Sequence, residues 1–317
     1  GHALTGSASF AQAGTGTTTL SLMNTYTGAT AATAGTLSIN TIADYGNDSA
    51  IGRGTAGTPI ILGGGNNGAT TGTLVYTGGA QSSNRTIQVG SINQNNTGGA
   101  RIINNGTGAL TFTAATFTPT YTQTNNNVRN LTLGGTNGGT INGTIQNISG
   151  TMRVGLIKVG SGTWALGGIN TYTDNTDVHA GTLGLQSGAT TVTQTLAALR
   201  FQVADGTLAS NKTGAGDLST TFTSVARAAG ATGNFVSAGG TNGTDNSVNI
   251  TGAAGFINAG LYFGGSEFAS RNSTNGFVRA LAYGSDTNAV AVNTITAGRH
   301  VKINAPASSF SGVGISL

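Results

Sequence analysis

An all-β chain wound as a parallel β-solenoid of short stacked coils is the fold that three features of this sequence predict. Gly supplies 54 of the 317 residues, while only 7% are charged and Pro is held to 3. Short β-branched runs alternate with Gly and Asn turns. One phrase also recurs without a gap, at 14–39 and again at 160–185. Gly, Thr, Asn and Ser are poor in helix interiors, so the composition speaks against helices throughout. A disordered chain needs high net charge and few β-branched residues, but this one carries +4 and is dense in Thr, Val, Ile and Leu. Collagen needs Gly at every third position with abundant Pro. A chain of this length buries a sizeable core without metal or disulfide.

The repeat fixes the first elements. Gly14, Gly16, Thr17, Leu20, Asn24, Thr25, Tyr26, Thr27, Thr30, Ala34, Gly35, Thr36 and Leu37 return as Gly160, Gly162, Thr163, Leu166, Asn170, Thr171, Tyr172, Thr173, Thr176, Ala180, Gly181, Thr182 and Leu183. A weaker opening of the same phrase stands at 106–112. In G-x-G-T-x-x-L the glycines allow positive φ at a corner, and the alternation behind them puts Leu166 on one face of a short strand. Asn-Thr-Tyr-Thr then reads as a turn, with Asn able to occupy the left-handed conformation and hydrogen-bond its own backbone. A-G-T-L opens the next strand, with Gly181, which recurs as Gly35, expected either at positive φ or at a position too crowded for a Cβ. Trp164, Leu166 and Leu183 are expected to face inward. One copy has a single apolar row and nothing to bury it against, so copies must stack.

The phrase at 160–183 resembles the passenger-associated, or autotransporter-associated, β-strand repeat of bacterial surface proteins. Gly162, Thr163, Leu166, Asn170, Thr171, Tyr172, Thr173, Thr176, Val178, Ala180, Gly181, Thr182 and Leu183 stand where that pattern expects them. The first copy departs from it, with Thr18 in place of the Trp and Ala32 in place of the Val. The segment from Ala226 to Asp286 is similar to the stretch that succeeds such repeats in long repetitive proteins of environmental bacteria. The resemblance implies a right-handed β-helix outside the cell, and it implies no catalytic residues.

The remaining elements obey the same plan. Runs at 60–62, 72–76, 86–89, 101–103, 131–133 and 140–145 read as strands between Gly-Gly, Asn-Gly and Asn-Asn turns. At about 20 to 25 residues per coil the chain makes roughly 13 to 15 coils, a rod of about 65 Å at the usual strand spacing. The run from Leu196 to Val203 admits a short helix. Two regions are expected: a solenoid over 1–195 that carries both repeats, and a continuing β-rich region over 196–317, either further coils or a capping and assembly segment. Neither terminus reads as a cap, and 308–317 reads as a strand with Val313, Ile315 and Leu317 alternating.

Chemistry is sparse. Gly63 to Gly68 matches G-x-G-x-x-G, but Gly is so abundant that chance supplies the pattern, and no helix with a distant acid comes after it. Asp174 and Asp177 are the nearest acid pair in the repeat. They replace Gly28 and Ala31 of the first copy, so they read as variable solvated turn positions rather than a glycosidase pair. His2, His179 and His300 form no ligand spacing, and His179 is expected on an exposed strand site. No G-x-S-x-G elbow occurs, and the many Asn-x-Ser/Thr sequons read as turn chemistry. No catalytic, cofactor or metal residue is therefore expected.

Near the C-terminus, Arg227, Arg271, Arg279 and Arg299 interleave with Phe256, Tyr262, Phe263, Phe268, Phe277 and Tyr283. This pattern makes either a glycan-stacking face, with Arg271, Arg279 and Tyr283 as contacts, or a filled core with surface Arg. The 13 basic residues are scattered, so nucleic acid is not an expected partner. No apolar run approaches 18 residues, so the segment inserts no membrane helix.

The start at Gly1, without Met or leader, reads as a processed product or an excised piece. The expected function is a secreted structural or cell-surface protein, a stalk, fibre or sheath that adheres or self-associates, either as a homopolymer or with the rest of a longer surface protein. The alternative is a carbohydrate-binding or carbohydrate-cleaving β-helix. An ice- or mineral-binding face is a third reading, which requires Thr arrays such as Thr17 to Thr19 to lie on one flat face.

Overall fold

The computed structural model describes residues 2–64, 70–90, 98–120, 126–290 and 299–302. Among these, every regular element is a strand. Nearly all pairings are parallel, and the chain winds as a parallel β-helix with three faces. The second face is the longest unbroken parallel ladder, a nine-stranded sheet from Thr17–Leu20 to Val225–Arg227. The third face starts at Gln81–Ser83 and runs in parallel to Leu261–Phe263. The first face begins with four strands, from Phe10–Gln12 to Ile87–Val89. Backbone bonds outside the named strands then carry it: Ile87 N–H donates to Phe117 O, Phe117 N–H to Thr144 O, Thr144 N–H to Ala115 O and Thr171 N–H to Ile145 O. It ends in three further strands, Val192–Leu196, Leu218–Phe222 and Asn246–Ile250.

In-register stacking results from alternation, because each strand sends every second side chain inward and parallel pairing aligns those side chains from coil to coil. On the second face the inward row is Leu37, Leu74, Ile102, Leu133, Lys158, Val178 and Phe201. On the third it is Leu110, Gly139, Trp164, Leu183, Leu208 and Phe235. These rows fuse into one apolar core along the axis.

Fewer coils form than the repeat length suggests. Thr17 pairs Thr36 and Thr163 pairs Thr182, the same short step in both copies, but Thr36 pairs Thr73 across a much longer excursion. Loops inserted between coils consume the chain, so among the described residues the longest parallel ladder has nine rungs rather than 13 to 15. The two copies also lie on different faces. Thr17–Leu20 belongs to the second face and its counterpart Thr163–Leu166 to the third, so the phrase is turned by one face between copies.

The run 196–203 forms no helix. Leu196 ends one strand and Leu199–Phe201 forms the next, with Leu196, Leu199 and Phe201 buried. Burial of alternate apolar residues outweighs the helix preference of the Ala-Ala-Leu-Arg string. Ladders cross residue 195 without a break, since Gly181–Ser187 pairs Asp205–Lys212. The change comes later: Glu267–Arg271 pairs antiparallel with Leu261–Phe263, Gly255–Phe256 and Val278–Ala280, and so covers the C-terminal edge of the third face. The strand expected at 308–317 and most of the Gly63 to Gly68 loop lie outside the described residues. Outward Thr side chains occur on all three faces, including Thr73 on the second, Thr182 on the third and Thr193 on the first. That scatter is the arrangement the ice-binding reading excludes.

Candidate functional site

The repeat coil is built the same way in both copies. Trp164, Leu166, Leu183 and Leu37 are buried to 1% exposure or less. The Trp164 indole lies beside Gly139, where a Cβ would meet the ring, and its Nε1 donates to the Gly134 carbonyl at 3.0 Å. In the first copy Thr18 takes that position and donates its hydroxyl to Gln12 Oε1 at 2.5 Å. Gly35 and Gly181 have φ of +63° and +66°, and a Cβ on either would strike the carbonyl of Gly14 or Gly160. The other glycines of the phrase act differently. Gly160 has positive φ, but Gly14, Gly16 and Gly162 do not. Gly162 is needed for space, because its Cβ position is taken by the Asn137 backbone of the preceding coil.

Asn24 and Asn170 are not left-handed turn residues. Among the described residues the one non-Gly residue at positive φ is Asn288. Both repeat asparagines are buried and act as brackets between coils. Asn24 Oδ1 accepts from the Leu4 backbone N–H at 2.8 Å, and Asn170 Oδ1 accepts from Ile145 N–H at 3.1 Å. Gln194 Oε1 accepts from the Asn170 N–H at 2.6 Å, and its Nε2 donates to Thr220 Oγ1 at 3.0 Å, so a buried polar ladder extends into the next coils. Tyr26 and Tyr172 each share a 2.7 Å hydroxyl contact with Thr30 and Thr176. Burial pushes both phenols up.

Buried cations at the coil corners escaped the sequence reading. Lys158 is fully buried and donates to the carbonyls of Val159, Gly160 and Ala180 at 2.8–3.1 Å. Burial pushes its ammonium down to about 8, which leaves it protonated at neutral pH inside the carbonyl cage. Arg85 donates to Gly52 O at 2.6 Å and Arg129 to Val89 O at 3.0 Å, and both are 1% exposed. A turn inside a coil leaves carbonyls without strand partners, and these long side chains satisfy them. The only sequence signal was a cation at a position that the alternation assigns to the inside.

The acidic residues are engaged rather than free. Asp177 is not a solvated turn residue. It lies within the strand Thr176–Val178 at 9% exposure, and its two oxygens accept from Arg200 at 2.5 and 2.6 Å. Asp174 pairs with Arg153 at 3.1 Å. Asp48, Asp217, Asp245, Asp286 and Glu267 pair with Arg53, Lys212, Lys212, Arg279 and Lys302. Asp44 accepts from the Asn84 backbone N–H and Asp205 from the Thr232 hydroxyl. His179 is half-buried just past a strand end. Among the described residues no three His, Cys, Asp or Glu side chains group as a metal would require, and no helix is long and apolar enough to cross a membrane.

The expected glycan contacts do not converge. Arg271 stands opposite Val278 and Arg279 opposite Ser270, so alternation sends the two arginines to opposite faces of the antiparallel sheet. Arg279 is held by Asp286, and Lys302 lies over the Tyr283 ring. Burial pushes the Arg271 guanidinium down, and its Nε and Nη1 have no hydrogen-bond partner among the described residues. The aromatics divide between the two readings. Phe263 packs on the core, while Tyr262, Phe268 and Phe256 form a half-buried row, with the His300 ring tilted by 37° and 3.8 Å from that of Phe256.

Comparison with known proteins agrees with this geometry. The model of the passenger-associated-transport-repeat matches residues 10–39 and 156–185. Over 177 residues, 55% of this chain, the sequence is 33% identical to the Adhesin BmaC autotransporter of Brucella suis biovar 1 (strain 1330). The chain spans about 4% of that relative's length. No solved structure matches. The chain thus carries the passenger-associated-transport-repeat twice, and such repeats indicate a location outside the cell or on its surface.

Proposed function

Starting from a chain that carries the passenger repeat twice, we propose that it is a length of rigid rod in a bacterial surface adhesin, that it adheres through its surfaces rather than by catalysis, and that it associates with further coils at its N-terminal end. The observation that carries this reading is the parallel ladder that passes through both repeat copies without interruption. A rod of in-register coils transmits load through backbone hydrogen bonds and needs no chemistry of its own. Similarity to an adhesin supports the adhesive part. The engagement of all nine acids in ion pairs or hydrogen bonds supports the non-catalytic part, because a glycosidase needs two carboxylates free to face one bond.

Association at the N-terminal end is supported by its uncovered strand edges, whereas at the opposite end Glu267–Arg271 covers the third face. Phe10–Gln12 and Thr17–Leu20 are each paired on one side only. Leu4, Leu22 and Met23 stand exposed beside them at 41, 41 and 53%. Open strand edges flanked by apolar side chains invite pairing with another strand. Sedimentation velocity across a concentration series tests the idea. Species larger than the 31.2 kDa chain should appear as concentration rises, and Thr19→Pro, which removes a donor on the open edge while the Thr18 N–H keeps its place in the ladder to Gly35–Ile39, should abolish them. A folded monomer at every concentration contradicts self-association. Release of unsaturated or reducing ends from pectin or alginate contradicts the non-catalytic reading.

A further inference from the structure

We propose that the groove around Arg101 on the second face binds an acidic polysaccharide, with the guanidinium seating a carboxylate or sulfate group. This goes beyond the rod reading and does not depend on it.

The groove holds about 430 Å³ and is lined by Thr36, Thr73, Arg101, Asn130, Thr132 and Ile157, with Gly35 and Gly99 at its edge. Thr36, Thr73, Arg101, Thr132 and Ile157 are register partners on five successive rungs, so the side chains form one outward row spaced by about 4.8 Å. The glycines leave the edge without side chains to fill it.

Arg101 differs from its neighbours in having no partner among the described residues. Arg153 and Arg200 on the same face are paired with Asp174 and Asp177, and Arg85 and Arg129 are spent on turn carbonyls. Arg101 is exposed and makes no hydrogen bond or ion pair among the described residues. Among those residues no carboxylate lines the groove. The nearest acid on this row, Asp177, lies beyond Ile157 and is held by Arg200. The outcome, among the described residues, is an exposed, unneutralised fork of donors beside hydroxyls and an amide.

That chemistry selects the ligand. A guanidinium takes a carboxylate or sulfate through two parallel hydrogen bonds, and Thr hydroxyls with the Asn130 amide match sugar hydroxyls as both donors and acceptors. A nucleic acid is a poorer match, because one cation neutralises one phosphate and the groove has no aromatic ring on which a base would stack. The ligand class is therefore a glycan with spaced acidic groups.

Calorimetric titration of the full chain with an oligogalacturonate, a heparin-derived tetrasaccharide and neutral maltotetraose tests the proposal. At least one acidic probe should bind, more weakly as salt rises, and maltotetraose should not. The preference between the two acidic probes tells carboxylate from sulfate. Arg101→Ala should weaken binding by about tenfold or more, the usual weight of a charged hydrogen bond. Arg101→Lys should recover part of that loss, and Arg299→Ala, at another exposed cation, should change nothing. Asn130→Ala reads the same groove independently and should also weaken binding. The proposal is overturned if neither acidic probe binds, if maltotetraose binds equally, if Arg101→Ala and Asn130→Ala bind as tightly as the unaltered chain, or if Arg299→Ala loses as much as Arg101→Ala. Sedimentation and titration read different surfaces, so failure of this groove is distinguishable from failure of the rod reading.

Discussion

Gln12 and Lys158 occupy the same position in the two repeat copies and close the same corner. The Gln12 amide donates to the carbonyls of Gly14 and Gly16, and the Lys158 ammonium donates to those of Val159, Gly160 and Ala180. The corner demands a donor on a long stem, and a neutral amide serves as well as a cation. Lys158→Gln is therefore expected to fold with less than about 1 kcal/mol lost, while Lys158→Ala, which leaves a cavity and unsatisfied carbonyls, costs about 2 to 4 kcal/mol in denaturant unfolding. Equal losses in the two variants would show that the position does not require a carbonyl cage.

The same residue gives a pH dependence with a definite sign. Its folded value lies near 8 against 10.5 unfolded, so between those limits the unfolded chain holds a proton that the folded chain releases. Stability accordingly rises with pH through this window, by at most roughly 3 kcal/mol. The raised phenols of Tyr26 and Tyr172 act the opposite way above pH 10, where the unfolded tyrosines ionise first. Unfolding free energy measured from pH 7.5 to 9.5 should climb in the native sequence and stay flat in Lys158→Gln. Superimposable profiles would count against it.

Gly181 and Asp174 separate backbone need from surface tolerance. Gly181 combines φ of +66° with a Cβ position blocked by the Gly160 carbonyl. Asp174 makes one partly exposed ion pair. Gly181→Val is expected to cost about 3 kcal/mol or more and Asp174→Val no more than about 1. Thermal unfolding of the two variants side by side checks the order, and equal shifts would mean that the turn does not need glycine.

Trp164 fills the space opened by Gly139 and donates to Gly134 O. Trp164→Ala should lose about 3 to 5 kcal/mol. As the single Trp of the chain, it should emit in the folded protein at the blue-shifted wavelength of a buried indole. Emission typical of water-exposed indole would contradict its placement.

Repetition made part of this legible. Gly35 with Gly181 and Tyr26 with Tyr172 could be paired before any coordinates, because each recurs at a fixed offset and a stacked coil gives recurring residues recurring neighbours. Comparison between copies misled at Asp177. Its counterpart Ala31 suggested a variable turn, yet Ala31 and Asp177 both lie in buried strand positions, and Arg200 on the next rung makes the charge tolerable there. Lys158, Arg85 and Arg129 were not legible, since the turn carbonyls that justify a buried cation exist only once the chain is wound. The antiparallel closure by Glu267–Arg271 was equally hidden, because strand direction leaves no mark on alternation.

The central claim is that the repeat stacks on itself coil by coil in parallel register, and paired spin labels test it most directly. The chain has no Cys, so Thr163→Cys with Thr182→Cys, outward residues on adjacent rungs, carry two nitroxides and nothing else does. Strong dipolar broadening of the electron paramagnetic resonance spectrum is predicted for this pair and for Thr17→Cys with Thr36→Cys. None is predicted for Thr36→Cys with Thr163→Cys, which join different faces. Spectra from the adjacent-rung pairs that equal the sum of their singly labelled proteins would contradict the solenoid.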